Sequence, residues 1–119
     1  MRRKLFVSEG LEDALKDRVQ KELKLGYINL EDSMFEQAKQ NFEIVLEYDS
    51  DCADAYWGLM LVKYQISNEK QLRSEPLKYK TVPYMPECQK ALELASDQQK
   101  RQYKDLLETI YQINQGDNY

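Results

Sequence analysis

Few side chains in this sequence are of a type that performs chemistry. Its 119 residues contain no histidine, which removes the commonest general base, the commonest metal ligand and the usual partner of a nucleophilic Ser or Cys. Cys52 and Cys88 stand 36 residues apart, with no Cys-x-x-Cys pair and no further thiol to complete a metal site. Two reduced structural thiols are the plain reading, and a surface staple is the other. Asp49-x-Asp51-x-Ala53 begins like a calcium loop. Asp54 then occupies the position that needs glycine and Met60 the position of the bidentate glutamate, so the run is expected to be a turn between helices. Glu43 and Glu47 lie one helical turn apart on a hydrated surface, with no apolar pocket to raise a pKa. Gly10, Gly26, Gly58 and Gly116 are too scattered to cradle a phosphate. Lys78, Tyr79, Lys80 and Tyr84 make a basic, aromatic patch suited to an acidic partner or, by stacking, to single-stranded nucleic acid. The other account of the patch is a packed segment with solvated lysines. The expectation is a chain without catalytic residues, metal or cofactor.

Helical periodicity dominates the chain. Leu11, Leu15, Val19, Leu23, Tyr27 and Leu30 recur at intervals of four and three, which predicts a helix from near Glu9 to Glu31 with Ser8 as N-cap. Asp32-Ser33 breaks the stripe. Phe35, Ala38, Phe42, Val45 and Leu46 set a second helix over about 34–47, and so short a turn predicts an antiparallel hairpin. After Asp49-Ser50-Asp51, a third helix over about 53–66 carries Ala55, Leu59, Val62 and Ile66 beside Tyr56 and Trp57. Pro76, Pro83 and Pro86 forbid a continuous helix through Ser67–Pro86. Asn68 with Gln71 forms a capping box for a single turn over about 69–73. Leu72, Leu77, Tyr79, Val82, Tyr84 and Met85 are too many apolar residues for a free linker, so the segment is expected to lie against the helices. Helix resumes near Pro86 with Cys88, Ala91, Leu92, Leu94 and Ala95, and Ser96 with Gln99 caps a last helix marked by Tyr103, Leu106, Leu107, Ile110 and Ile113. Whether these last two are separate helices or one bent rod stays open.

Lys and Arg number 17 against 21 Asp and Glu, a net charge of −4. By segment the net charge is +2 over 1–30, −7 over 31–69, +4 over 70–104 and −3 over 105–119. The acidic middle repels a phosphate backbone, so nucleic acid is not an expected partner. Such a surface is either solvated or attracts a basic peptide. At this length one domain is expected. No run approaches the roughly 18 apolar residues of a membrane helix, and the basic start Met1–Ser8 meets Glu9 before a signal-peptide core can form. A cytoplasmic protein with no membrane contact is expected.

A period near 34 residues marks tetratricopeptide repeats. With Ala38 as the small residue of a second helix, Leu25-Gly26 matches the Leu-Gly pair of the first, Phe35 and Phe42 the aromatics, and Asp49-Ser50 the closing turn. Ala53, Ala55, Tyr56 and Leu59 match the start of a second repeat and Lys90-Ala91-Leu92-Glu93-Leu94-Ala95 its end. The second repeat departs from the pattern at Met60, at Lys63 and in its proline-rich interruption. Over about residues 19–96 the chain therefore resembles the tetratricopeptide (TPR) repeat family. Leu30-Glu31-Asp32-Ser33 and Gln89-Lys90-Ala91 also resemble a set of uncharacterised bacterial TPR-like proteins.

The resemblance implies an all-α fold, antiparallel hairpins stacked as a short right-handed superhelix of about five main helices. Its parts would be a flexible N-terminus 1–8 and a single domain 9–114. Within the domain lie repeat one over about 19–52, repeat two over about 53–96 with its insertion 67–86, and a capping helix over about 97–114; a frayed tail 115–119 follows. It further implies a concave face that holds a peptide or partner helix, formed by Leu23, Tyr27, Leu30, Glu31, Asp54, Trp57, Leu61, Tyr64 and Gln65. Trp57 and Tyr64, two turns apart on one helix, are either exposed anchors in that concavity or rings that close the core under the insertion. The expected function is a non-enzymatic protein-interaction module. Its rivals are a structural section that self-associates through a repeat end, around Tyr103, Leu107 and Ile110, and an enzyme whose chemistry the sequence does not display.

Overall fold

The computed structural model describes residues 9–116 of the chain. The expected flexible segment 1–8, with Ser8 as cap, lies outside the described residues, as does the end of the expected frayed tail. Within them, Gln115 and Gly116 continue the last helix.

Six α-helices and no strand form among the described residues: α1 Glu9–Glu31, α2 Phe35–Tyr48, α3 Ala53–Lys63, α4 Gln71–Ser74, α5 Pro86–Leu94 and α6 Asp97–Gly116, with a 3-10 turn at Val82–Tyr84 before α5. No described helix is long and apolar enough to cross a membrane.

α1 and α2 are antiparallel. Arg18 sits 5.9 Å over the Tyr48 ring at one end, while Asn41 donates to Glu22 (2.9 Å) and accepts from Asn29 (2.8 Å) further along. α1 has 23 residues and α2 only 14, so at 1.5 Å per residue α1 overhangs by about 13 Å. The apolar stripe of α1 is accordingly covered only toward its C-terminal end: Val19 and Leu30 are buried and Leu15 is exposed.

Phe42 centres the hairpin. Its ring is fully buried between α1 and α3, and a Cβ placed on Gly26 or Gly58 would come within 2.5 or 2.4 Å of it. Tyr27 meets the same ring edge-on, with centroids 4.9 Å apart. Two glycines on separate helices thus give one aromatic side chain its slot, and α1, α2 and α3 close around it.

α1 and α3 end alike. Ser33 (φ 60°) and Gln65 (φ 54°) turn left-handed. The amide of the following residue then reaches back to Asn29 (2.8 Å) or Leu61 (2.9 Å), and the left-handed residue's own amide to Leu30 or Val62 (both 2.9 Å). This paired closure satisfies the last carbonyls of a helix and ordinarily uses glycine. It also corrects the expected length of α3, which stops at Lys63 so that Ile66 can turn into the core.

The insertion packs as expected in part. Leu72, Tyr79, Val82 and Pro83 are buried, whereas Leu77 and Tyr84 are exposed at 71% and 62%. It is pinned to α6 through Arg73 and Asp105 (3.3 Å) and through Asn114, which donates to the Lys80 carbonyl (3.1 Å). α5 and α6 are separate helices. Ala95 ends the first in extended backbone, and Ser96 and Gln99 exchange amide and side-chain bonds of 3.1 and 3.2 Å to open the second.

Candidate functional site

The last turn of α1, the end of α3 and the turn Ser67–Lys70 enclose a cleft of about 580 Å³. Its lining combines Tyr27, Leu30, Glu31 and Leu61 with Ser67, Asn68, Glu69 and Lys70. The first four come from the helix ends that the sequence marks as a groove. The others come from the turn that follows α3, which exists because Gln65 reverses the chain.

That turn is rigidly built. The Asn68 side chain accepts from the Lys70 amide (2.9 Å), and its amide donates to the Gln71 side chain (3.2 Å). Glu69 is drawn over α3, where its Oε2 accepts the indole N–H of Trp57 at 2.8 Å. Trp57 in turn lies flat on Tyr103 of α6, with centroids 4.2 Å apart and planes 9° from parallel. The Tyr103 hydroxyl donates to the Asp54 carboxylate, and the Tyr27 hydroxyl donates to the Asp54 carbonyl at 2.6 Å. A continuous polar network therefore runs from α6 beneath α3 to the cleft.

Burial is the first reason that the Tyr27 and Tyr103 phenols are both raised above their ordinary 10.0. For Tyr103 the hydrogen bond to Asp54 adds to it; for Tyr27 the nearby Tyr103, Asp54 and Glu69 do. Both remain neutral donors, and Tyr27 lines the cleft while its hydroxyl is engaged elsewhere.

The residues expected to form one concave face divide. Tyr27, Leu30, Glu31 and Leu61 line the cleft. Leu30 and Leu61 are its floor, exposed by only 2% and 1%, while Glu31 stands free on the rim. Trp57 is not an exposed anchor. It is completely buried between Tyr103 and Glu69, because α6 and the insertion occupy the space that an open groove would need. Tyr64 is half-buried against Tyr79, with its hydroxyl bonded to Thr81. Of the two accounts of these rings, closure of the core under the insertion describes where they lie. Asp54 and Leu23 are half-buried. Gln65 is exposed, and its backbone conformation ends α3. Tyr103, Leu107 and Ile110, expected as a face for self-association, are buried inside the chain.

Glu69 and Lys70 line the cleft outside the face that helical register marks. The Asn68–Gln71 capping pattern locates their turn, but nothing in residue spacing shows that Glu69 folds back 12 positions to meet Trp57.

The other candidate chemistry resolves locally. The Asp49 carboxylate accepts from the Asp51 amide at 3.2 Å, forming a turn of its own. Both cysteines are free, and burial lifts both thiols, that of Cys88 to about 12. Tyr79 is buried with Lys78 5.5 Å from its ring, so the basic, aromatic patch is divided and only Tyr84 presents its ring to solvent.

No protein-family model matches the chain, and no curated protein and no solved structure resembles it significantly.

Proposed function

We propose that this chain is a non-enzymatic binding module, a short TPR-like array that takes a peptide or helix segment of another protein at the cleft between α1, α3 and the Ser67–Lys70 turn. One observation carries the proposal: a cleft with a largely polar lining, in which a carboxylate is held in place by a buried indole. Pockets of that kind, few per protein and largely pre-formed, are where ligands gain orientation as well as area. The close approach of Phe42 to Gly26 supports the TPR-like reading, since Leu25-Gly26 is the pair that the resemblance matches to the first helix of a repeat. Two free thiols support a reducing, cytoplasmic setting.

The test is selection of random nonapeptides on the full chain, followed by amide shift mapping of the winners. Saturable shifts confined to Tyr27, Leu30, Glu31 and Asn68–Lys70 are expected. Winners that map to another surface would refute the site.

A second reading, self-association, is favoured by a different surface. Leu25 and Ile28, one turn apart on the outer side of α1, are exposed at 39% and 43%, and Met34 after them at 43%. Sedimentation velocity over a concentration series distinguishes it: a mass that rises with concentration and returns to monomer in Ile28→Lys would favour assembly over peptide capture.

A further inference from the structure

We propose that the cleft recognises an arginine side chain of the bound peptide, its guanidinium held between Glu31 and Glu69 beside Tyr27. This rests on the binding-module reading and names what that module selects.

The lining dictates the choice. Tyr27, whose hydroxyl is already committed to the Asp54 carbonyl, lines the cleft above the buried Leu30 and Leu61. Glu31 of α1 and Glu69 of the Ser67–Lys70 turn both line the cleft. Glu69 spends Oε2 on the Trp57 indole, and its Oε1 makes no hydrogen bond among the described residues. Glu31 has no ion pair there either. The orientation of Glu69 is fixed before any ligand arrives, which removes part of the ordering cost of binding.

Charge points the same way. The charged side chains that line the cleft are Glu31, Glu69 and Lys70, a net −1. Against two rim carboxylates stands one basic group, Lys70, so an acidic ligand meets net repulsion. Arginine fits better than lysine for geometric reasons: its planar fork serves two carboxylates at once and packs flat on an aromatic ring, whereas an ammonium is a hydrated point charge.

The probes are N-acetyl-arginine amide, its neutral isostere N-acetyl-citrulline amide, and the corresponding lysine and glutamate amides, titrated into the full-length, nitrogen-15-labelled chain. The Trp57 indole N–H is a built-in reporter because it donates to Glu69. Expected are saturable shifts of that indole and of the Glu31, Asn68, Glu69 and Lys70 amides with arginine, weaker ones with lysine and none with citrulline. Glu69→Gln, which preserves an acceptor for Trp57, and Glu31→Gln at the exposed rim should each weaken arginine binding about tenfold or more with the melting temperature unchanged. Equal shifts from citrulline or glutamate would overturn the proposal. Peptides selected without a basic residue that still map to the cleft would overturn it too, yet leave the binding module intact. If neither selected peptides nor arginine amide touch the cleft, both readings fall together.

Discussion

Replacing Gly58 by alanine sets two known effects against each other in the hairpin core. Alanine in the middle of α3 should favour the helix by about 1 kcal/mol over glycine. The new Cβ, however, would stand 2.4 Å from one Phe42 ring carbon and 2.5 and 2.7 Å from two others. A flexible side chain could move aside, but this ring is fully buried, and a Cβ at Gly26 would find it 2.5 Å away. Retreat from α3 therefore drives the ring toward the α1 backbone. Overpacking of such a core costs typically 1–3 kcal/mol, and with no free direction the upper end applies. The net expectation for Gly58→Ala is a loss of about 2 kcal/mol, or roughly 8 °C in melting temperature for a domain of this size. Urea unfolding followed by circular dichroism measures it. Phe42→Leu is destabilising alone, and combined with Gly58→Ala it should show a favourable coupling of at least about 1 kcal/mol. A neutral or stabilised Gly58→Ala would refute the slot, and so would strict additivity in the double variant.

Other outcomes follow from the same geometry. Gln65→Gly should stabilise the chain by about 0.5–1 kcal/mol, because a left-handed residue with a Cβ carries a cost that glycine escapes; a loss of stability in urea would show that the Gln65 side chain contributes more than its backbone angle. Trp57→Phe keeps an aromatic face for Tyr103 but leaves the Glu69 carboxylate without its donor, a cost of about 2 kcal/mol; urea midpoints followed by far-ultraviolet circular dichroism should register it, while a neutral result would detach Glu69 from the core. Alkaline pH should weaken the fold in a set order. Cys88, 9.0 when unperturbed and pushed to about 12 by burial, and Tyr27 and Tyr103, raised above 10.0, stay protonated in the folded chain after the unfolded chain has lost those protons. Stability is thus complete below pH 9 and falls above it, by up to about 1.4 kcal/mol per pH unit for each group in its window; Cys88→Ala should reduce the part that begins at pH 9, and Cys52, whose thiol is also raised, accounts for the rest.

The helices were legible because their cause is local. Stripes at intervals of three and four mark α1, α2 and α6, whereas the separation of α5 from α6, which the sequence leaves open, is settled by the bonds between Ser96 and Gln99. The end of α3 was misjudged because Ile66 continues the apolar stripe while Gln65, a residue with no special turn preference, carries the left-handed angle that stops the helix. The site was half legible for the same reason. Tyr27, Leu30, Glu31 and Leu61 follow from helical register, whereas the burial of Trp57 depends on α6 returning across α3. That return brings Tyr103 to a residue 46 positions earlier in the chain, and no periodicity encodes it.

The return of α6 is also what gives the cleft its character. An open groove along α1 and α3 would expose Trp57 and Tyr64 and bind through aromatic area. With Tyr103 stacked on Trp57 and the insertion over Tyr64, that area is already consumed in folding. What remains open is the end of the groove, where Glu69 folds back to accept the N–H of the buried indole. The same tryptophan thus changes role, from a contact surface to the anchor of a charged one. A ligand bound there stabilises only the folded chain, so its affinity is linked to the packing of α6. Loosening Tyr103 frees Trp57, loosening Trp57 frees Glu69, and the selectivity of the cleft for a cation depends on the order of a helix that does not line it.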